Sequence, residues 1–350
     1  MPIRPPSRRS RIGTAATLLL GAFGALLMTA SAWRTERLPT LLANAPARAV
    51  GVSWYADDAW VPDAAMQVER SPSIVLLIHG LDEPGGIWDA LAPALSENGH
   101  AVARFDYPND QPVRDSADEL ADALVALHDS GVTETRIVAH SMGGLVTRDT
   151  LTRPELADRI RVRVPLLVTL GTPHAGSPWA RWQPIAEARE QIQRWFESGS
   201  LDPAVLFGWN ADGMGEAGED LRPGSAFLTD LNSRPHPAGT RVACVIAVIP
   251  NLPEGTAIEN IPDYARALGD GVVPTDSGVY AHADSVHLVR ANHRSMIRPV
   301  ELGEWIQATF GPAFSADPPP TPPGIPIVLE LLADPDSEPE AAPEPSQTPP

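Results

Sequence analysis

The sequence predicts an α/β protein, a mostly parallel central sheet with helices on both of its faces. Three observations carry that expectation. Short runs of consecutive apolar residues, the mark of strands covered on two sides, alternate along the chain with stretches whose apolar residues recur at helical spacing. The runs are bounded by turn residues. Extremes of composition are confined to the chain ends, and residues 33–310 between them are long enough for one large domain with an insertion, or for two small ones.

The elements follow in order. A strand is expected over 73–78, a helix over 87–95 and a strand over 101–106. Ser116 and Glu119 have the spacing of a capping box, so a helix is expected to open there with Leu120, Ala123, Leu124 and Leu127 facing inward. The run 136–139 is the next strand, 142–151 its helix and 164–170 the strand after that. Residues 178–238 break this rhythm and read as an insertion. It resumes at 242–249 with a buried strand carrying Cys244, and closes with a strand over 285–290 and a helix begun by Pro299, whose Leu302, Trp305 and Ile306 form an inward stripe. No internal repeat is present.

Composition narrows the function classes. The 350 residues carry a formal charge of −18, and their basic residues are all arginine, scattered rather than clustered. A polyanion would be repelled, which argues against a nucleic-acid partner. A lone cysteine excludes an intramolecular disulfide framework and any zinc site of the CxxC type.

Residues 1–32 hold four arginines and no acid, and those arginines precede the uncharged run 12–33. That is the layout of an export signal, with Ala30-Ser31-Ala32 as a cleavage site. The same 22-residue run could span a bilayer as a retained anchor, so the expected location is periplasmic or extracellular, with inner-membrane anchoring as the alternative. Residues 311–350 hold seven acids, thirteen prolines and no base, which predicts a disordered tail. Within it the apolar segment 325–332 could dock back on the domain or bind a partner, but reads more simply as a sticky stretch of a flexible tail.

Ala139-His140-Ser141-Met142-Gly143-Gly144 lies between a strand and a helix, the setting of a G-x-S-x-G elbow with alanine in place of the first glycine. The turn demands small residues two before and two after its centre, and Ala139 and Gly143 both qualify. A serine hydroxyl is a poor nucleophile at neutral pH, so Ser141 requires a base, an acid to orient the base, and donors for the oxyanion. Asp270, in the glycine-flanked loop Gly269-Asp270-Gly271, is expected to be the acid ahead of Asp276, a turn residue, and Asp284, at a strand edge. His293, in a polar loop between the last strand and the last helix, is expected to be the base ahead of His282 and His287. The Leu81 amide, after a strand ending in His79-Gly80, and the Met142 amide, at a helix head, are the expected donors. His79 is expected to brace its loop rather than to transfer protons.

At these residues the chain resembles the α/β-hydrolase superfamily, and within it the bacterial lipase and esterase group that shares motifs with PGAP1-like deacylases. The resemblance covers roughly residues 70–310. It rests on Ile78-His79-Gly80-Leu81, Arg104-Phe105-Asp106-Tyr107-Pro108, the Ser141 motif, Leu170-Gly171-Thr172-Pro173-His174-Ala175-Gly176-Ser177, Pro223-Gly224-Ser225-Ala226-Phe227-Leu228 and Asp270-Gly271-Val272-Val273-Pro274. It implies the α/β-hydrolase fold and carboxylic-ester hydrolysis through an acyl-enzyme on Ser141, without a redox or nucleotide cofactor. Some relatives hold a structural calcium, but no ligand set for it is recognisable, so no metal is expected.

The insertion is expected to form a helical cap. Its Trp179, Trp182, Trp195, Phe196 and Trp209 are candidates to line an acyl pocket as a lid, the alternative being a helix over 185–196 packed on the core. The expected substrate is a lipid or other apolar acyl ester. Two other readings stand beside hydrolysis: an acyltransferase using the same triad, and a catalytically silent binding module at the cell envelope. Oligomeric state is not readable.

Overall fold

The computed structural model describes residues 50–65, 70–81, 86–108, 111–178, 216–249, 256–299 and 321–333. All of them belong to the unit formed by Arg48–Glu190 and Ala211–Pro350. The N-terminal signal or anchor, the five aromatic lid candidates, the helix expected after Pro299 and the tail beyond 333 lie outside the described residues.

The chain enters through a hairpin, β1 (Gly51–Ala56) and β2 (Ala59–Pro62), which the sequence reading does not anticipate. Asp57 and Asp58 make its two-residue turn, both at positive φ, as a hairpin that follows the natural strand twist requires. Then come β3 (Ser73–Ile78), α1 (Leu91–Glu97), β4 (Val102–Asp106), α2 (Val113–Asp129), β5 (Glu134–His140), α3 (Met142–Thr152), α4 (Pro154–Ala157) and β6 (Leu166–Leu170). The last part of the expected insertion holds α5 (Glu216–Asp220) and α6 (Ala226–Ser233), whose Ala217, Phe227, Leu228 and Leu231 are buried in the main core; after it follow β7 (Arg241–Val248), α7 (Asp263–Leu268), α8 (Thr275–Gly278), β8 (Ser285–Arg290) and α9 (Gly324–Ala333). The strands form one sheet in the order β2-β1-β4-β3-β5-β6-β7-β8. β1 runs antiparallel to β2 and β4, and every other pairing is parallel.

Strand periodicity sorts the core into two layers. Ile74, Leu76 and Ile78 of β3 and Val242, Cys244 and Ile246 of β7 point to one face, where they pack with Leu120, Leu124 and Leu127 of α2 and with Met142, Leu145 and Val146 of α3. The alternate residues, Val75 and Leu77 of β3 and Ala243, Val245 and Ala247 of β7, point to the other face, toward Leu91 and Leu95 of α1. Each Val, Leu, Ile or Met side chain so buried stabilises the fold by about 1.5–3 kcal/mol.

Two expectations need correction. Helix α2 opens at Val113, not at Ser116, and Pro112 at its cap position makes no side-chain capping bond. Its cap comes from elsewhere: the Val113 amide donates to Asp220 Oδ2 at 2.9 Å, while Ser116 and Glu119 both accept from the Gln111 side chain. The second correction concerns the tail. Residues Gly324–Ala333 are a docked helix, not part of a disordered segment, and Ile325, Val328, Leu331 and Leu332 are buried in the layer that holds α1, β6 and β7. Their spacing of three, three and one residues makes a single helical stripe, enough apolar area to hold ten residues against the sheet.

Candidate active site

Ser141 sits between the last residue of β5 and the first of α3, at φ 52° and ψ −126°. A non-glycine residue there is strained by roughly 1–3 kcal/mol, so the surrounding contacts must hold it. They do so from both sides. The Ser141 amide donates to Leu170 O at 2.8 Å, at the end of the neighbouring strand β6. Gly143 lies so close to the end of β3 that a Cβ on it would stand 2.4 Å from Ile78 O and 2.6 Å from His79 O. Only glycine fits, which is the small-residue demand of the elbow in physical form. Ala139, where the motif has its first glycine, is fully buried between Ile78 and Thr169 of the adjoining strands.

The loop after β3 closes on the serine. A Cβ on Gly80 would lie 2.7 Å from Ser141 Cβ and 3.3 Å from its Oγ, so the backbone leading to Leu81 touches the serine side chain. Met142 is the first residue of α3, whose opening amides have no partner within the helix. Both nominated amides therefore belong to segments in contact with Ser141. His79 braces this loop: its Nδ1 donates to Gly80 O at 2.9 Å and its ring stacks on Tyr107 at 4.4 Å. Tyr107 completes the brace by donating to His79 O at 2.7 Å.

Asp270 and His293 meet. His293 Nδ1 donates to Asp270 Oδ2 at 2.7 Å, and both side chains are buried. The other carboxylate oxygen, Oδ1, accepts from the Val272 and Val273 amides at 2.8 and 2.7 Å. This loop needs Gly269 at φ 53°, where a Cβ would collide with Val273 O at 1.9 Å. The His293 amide donates to Asp270 O at 3.0 Å, so acid and base are joined through backbone as well as side chains. With Nδ1 carrying the proton, Nε2 is the basic nitrogen of the neutral ring.

Three residues that sequence reasoning missed connect this pair to Ser141. His140, next to the serine, donates from Nε2 to His293 O at 2.9 Å, with the two rings 4.6 Å apart. Gly171, next to the acceptor of the Ser141 amide, faces the pair: a Cβ on it would lie 3.0 Å from Asp270 Oδ2 and 3.1 Å from His293 Nδ1. Met296 reaches the same spot with its Cε. His140 and Gly171 stand inside quoted motifs, but their roles arise only when distant segments meet.

The competing residues are engaged elsewhere. Asp276 pairs with Arg266 at the surface, and Asp284 Oδ2 accepts from the Val242 amide at 2.7 Å. His287 bonds Ser285 Oγ at 3.0 Å, and His282 is exposed beside Tyr280.

The Gly171–Ser177 motif acts as a strut between the serine and acid segments. Gly144 of α3 lies against Thr172, and Ser177 Oγ donates to Val272 O at 2.6 Å. At its centre His174 is buried and its Nδ1 accepts from Arg148 at 3.2 Å. Burial, with the Arg148 charge second, holds the His174 ring well below the usual histidine range. Arg148 is buried too, stacked on Tyr280 at 4.1 Å and bonded to Asn232 Oδ1 at 3.0 Å; burial pulls its guanidinium down from the ordinary arginine range. Among the described residues no group of three His, Cys, Asp or Glu side chains could hold a metal ion, and no helix is long and apolar enough to cross a membrane.

The model of the alpha/beta hydrolase family matches residues 75–305. Among solved structures the chain is similar to Bacillus licheniformis lipase BlEst2 in mature form, at 20% identity and a TM-score of 0.46 over 68% of this chain and 91% of that one. Its propeptide form gives 19% and 0.47, covering 73% and 53% of the two chains. Phospholipase PlaB from Legionella pneumophila gives 17% and 0.37, covering 59% and 45%. No curated protein matches the chain.

Proposed function

The chain belongs to the alpha/beta hydrolase family, and from that membership we propose that it is a serine hydrolase cleaving carboxylic esters through an acyl-enzyme. The observation that carries this reading is the buried 2.7 Å hydrogen bond between Asp270 and His293, in a loop tied by His140 to the strained turn at Ser141. Asp270 fixes the tautomer in which Nε2 is basic and stabilises the imidazolium once it forms. His293 takes the Ser141 proton as the oxygen attacks the ester carbonyl, then returns it to the leaving alcohol. Water repeats the sequence in the second half-reaction and releases the acid. The Leu81 and Met142 amides are the proposed oxyanion donors, a contribution of about 2.7–4 kcal/mol per donor in such sites.

Apolar acyl groups are the proposed substrates, on the strength of Trp179, Trp182, Trp195, Phe196 and Trp209, five of the aromatic residues in the insertion. The basic start and uncharged run of the N-terminal segment support export, or anchoring at the membrane, as the proposed location. The test is hydrolysis of a p-nitrophenyl ester series by the full chain and by Ser141→Ala and His293→Ala, with a fluorophosphonate probe as covalent label. Turnover is expected to vanish in both variants, with the adduct on Ser141. An unchanged rate in either variant, or an adduct elsewhere, rejects the assignment.

A further inference from the structure

The segment that carries His293 is held from three directions. Asp270 O receives its amide, and His140 grips its carbonyl. The third hold is the C-terminal helix. The Gly324 amide donates to Met296 O at 2.8 Å, three residues beyond His293, and a Cβ on Gly324 would stand 2.7 Å from that same oxygen. Met296 and Ile297 are wholly buried, in the layer that receives Ile325, Val328 and Leu332 of α9. From the turn seated in this way, Met296 sends its Cε to the spot in front of Gly171 where Asp270 Oδ2 and His293 Nδ1 also converge.

We infer that α9 is a positioning element for His293, seating the Met296–Ile297 turn so that the imidazole meets Asp270 in the geometry ester cleavage needs. A helix that only covered the sheet would touch it through side chains. α9 instead bonds the backbone of the base's own turn, at a point with no room for a side chain on Gly324. The inference rests on His293 being the base of the proposed reaction, although the seating itself is a matter of geometry.

The experiment uses the full chain with two seating variants and one distant control. Gly324→Ala pushes on Met296 O, and Met296→Leu conserves volume while withdrawing the Cε from Gly171. Leu127→Ala empties a core site at the far end of α2, just before β5. Each is assayed for kcat, KM and melting temperature, and the His293 Nδ1 proton is followed as a low-field NMR resonance. The seating variants are expected to lose kcat by about tenfold or more at unchanged KM, since small misplacements of a reacting group are costly. Their resonance should shift or broaden. Leu127→Ala should melt lower and keep both kcat and the resonance. Wild-type kcat and resonance in Met296→Leu and in any folded Gly324→Ala protein overturn the inference, as does an equal loss of kcat in Leu127→Ala. Should the wild type hydrolyse no ester, the hydrolase reading fails, and the resonance alone decides the seating: unmoved in both seating variants, it rejects it.

Discussion

Asp270 presents its two carboxylate oxygens to different partners, and this decides what a conservative change would do. Oδ1 accepts from two backbone amides, so in Asp270→Asn that position must be filled by the amide oxygen. The NH2 group then faces His293 Nδ1 and donates to it, forcing the proton onto Nε2, the nitrogen that accepts from Ser141 in the proposed reaction. A drop in kcat of about 10⁴-fold is expected in steady-state assays of Asp270→Asn, with the protein folded and KM little changed. A variant that kept most of its activity would show that the carboxylate does not set the tautomer. At this scale the sequence nominates the residues of the candidate site where each carries its own local signal: Ser141 in its motif, Asp270 between glycines, His293 in a polar loop after a strand. Met296 carries none, and the motif around Gly171 does not show its role, because the two meet across 125 positions, beside Asp270 and His293.

Elements are legible where their own side chains decide them. β3 runs over the residues expected, because a strand buried between layers reads as an unbroken apolar run; β8 does so too, although as an edge strand it is mostly half-buried. The start of α2 is not, since its capping partner Asp220 stands 107 residues downstream while Ser116 offers a local pattern that the fold does not use. The Gly171–Ser177 strut is recognisable as a motif, but its electrostatics come from packing. His174, disfavoured as a cation by burial and by Arg148, takes up its second proton well below the usual histidine range in the folded chain, whereas the unfolded chain protonates it near pH 6.5. Below that value the unfolded state therefore holds more protons, so this contribution to stability is present above pH about 6.5 and is lost as pH falls through it. Urea midpoints compared at pH 7.5 and 5.5 should drop less in His174→Asn than in wild type. His100 and His287, also depressed chiefly by burial, keep part of the wild-type slope in both proteins. Equal drops in the two proteins would mean that His174 titrates normally in the fold.

For the molecule as a whole, average composition misleads at the C-terminus. Thirteen prolines and seven acids over residues 311–350 outweigh the apolar segment 325–332 on paper, yet four of its side chains lie on one stripe and dock as α9. The single cysteine has a consequence of a different kind. Cys244 lies fully buried in β7, next to the edge strand, and burial raises its thiol above the usual range. A chain with one thiol sealed in this way carries its own clock: a disulfide reagent can reach the sulfur only when β7 parts from its neighbours. Labelling by excess reagent should follow one slow exponential, and denaturant at sub-unfolding concentrations should speed it in step with global unfolding measured by tryptophan fluorescence. Fast labelling that ignores denaturant would reveal a breathing mode at the β7–β8 edge, well short of denaturation.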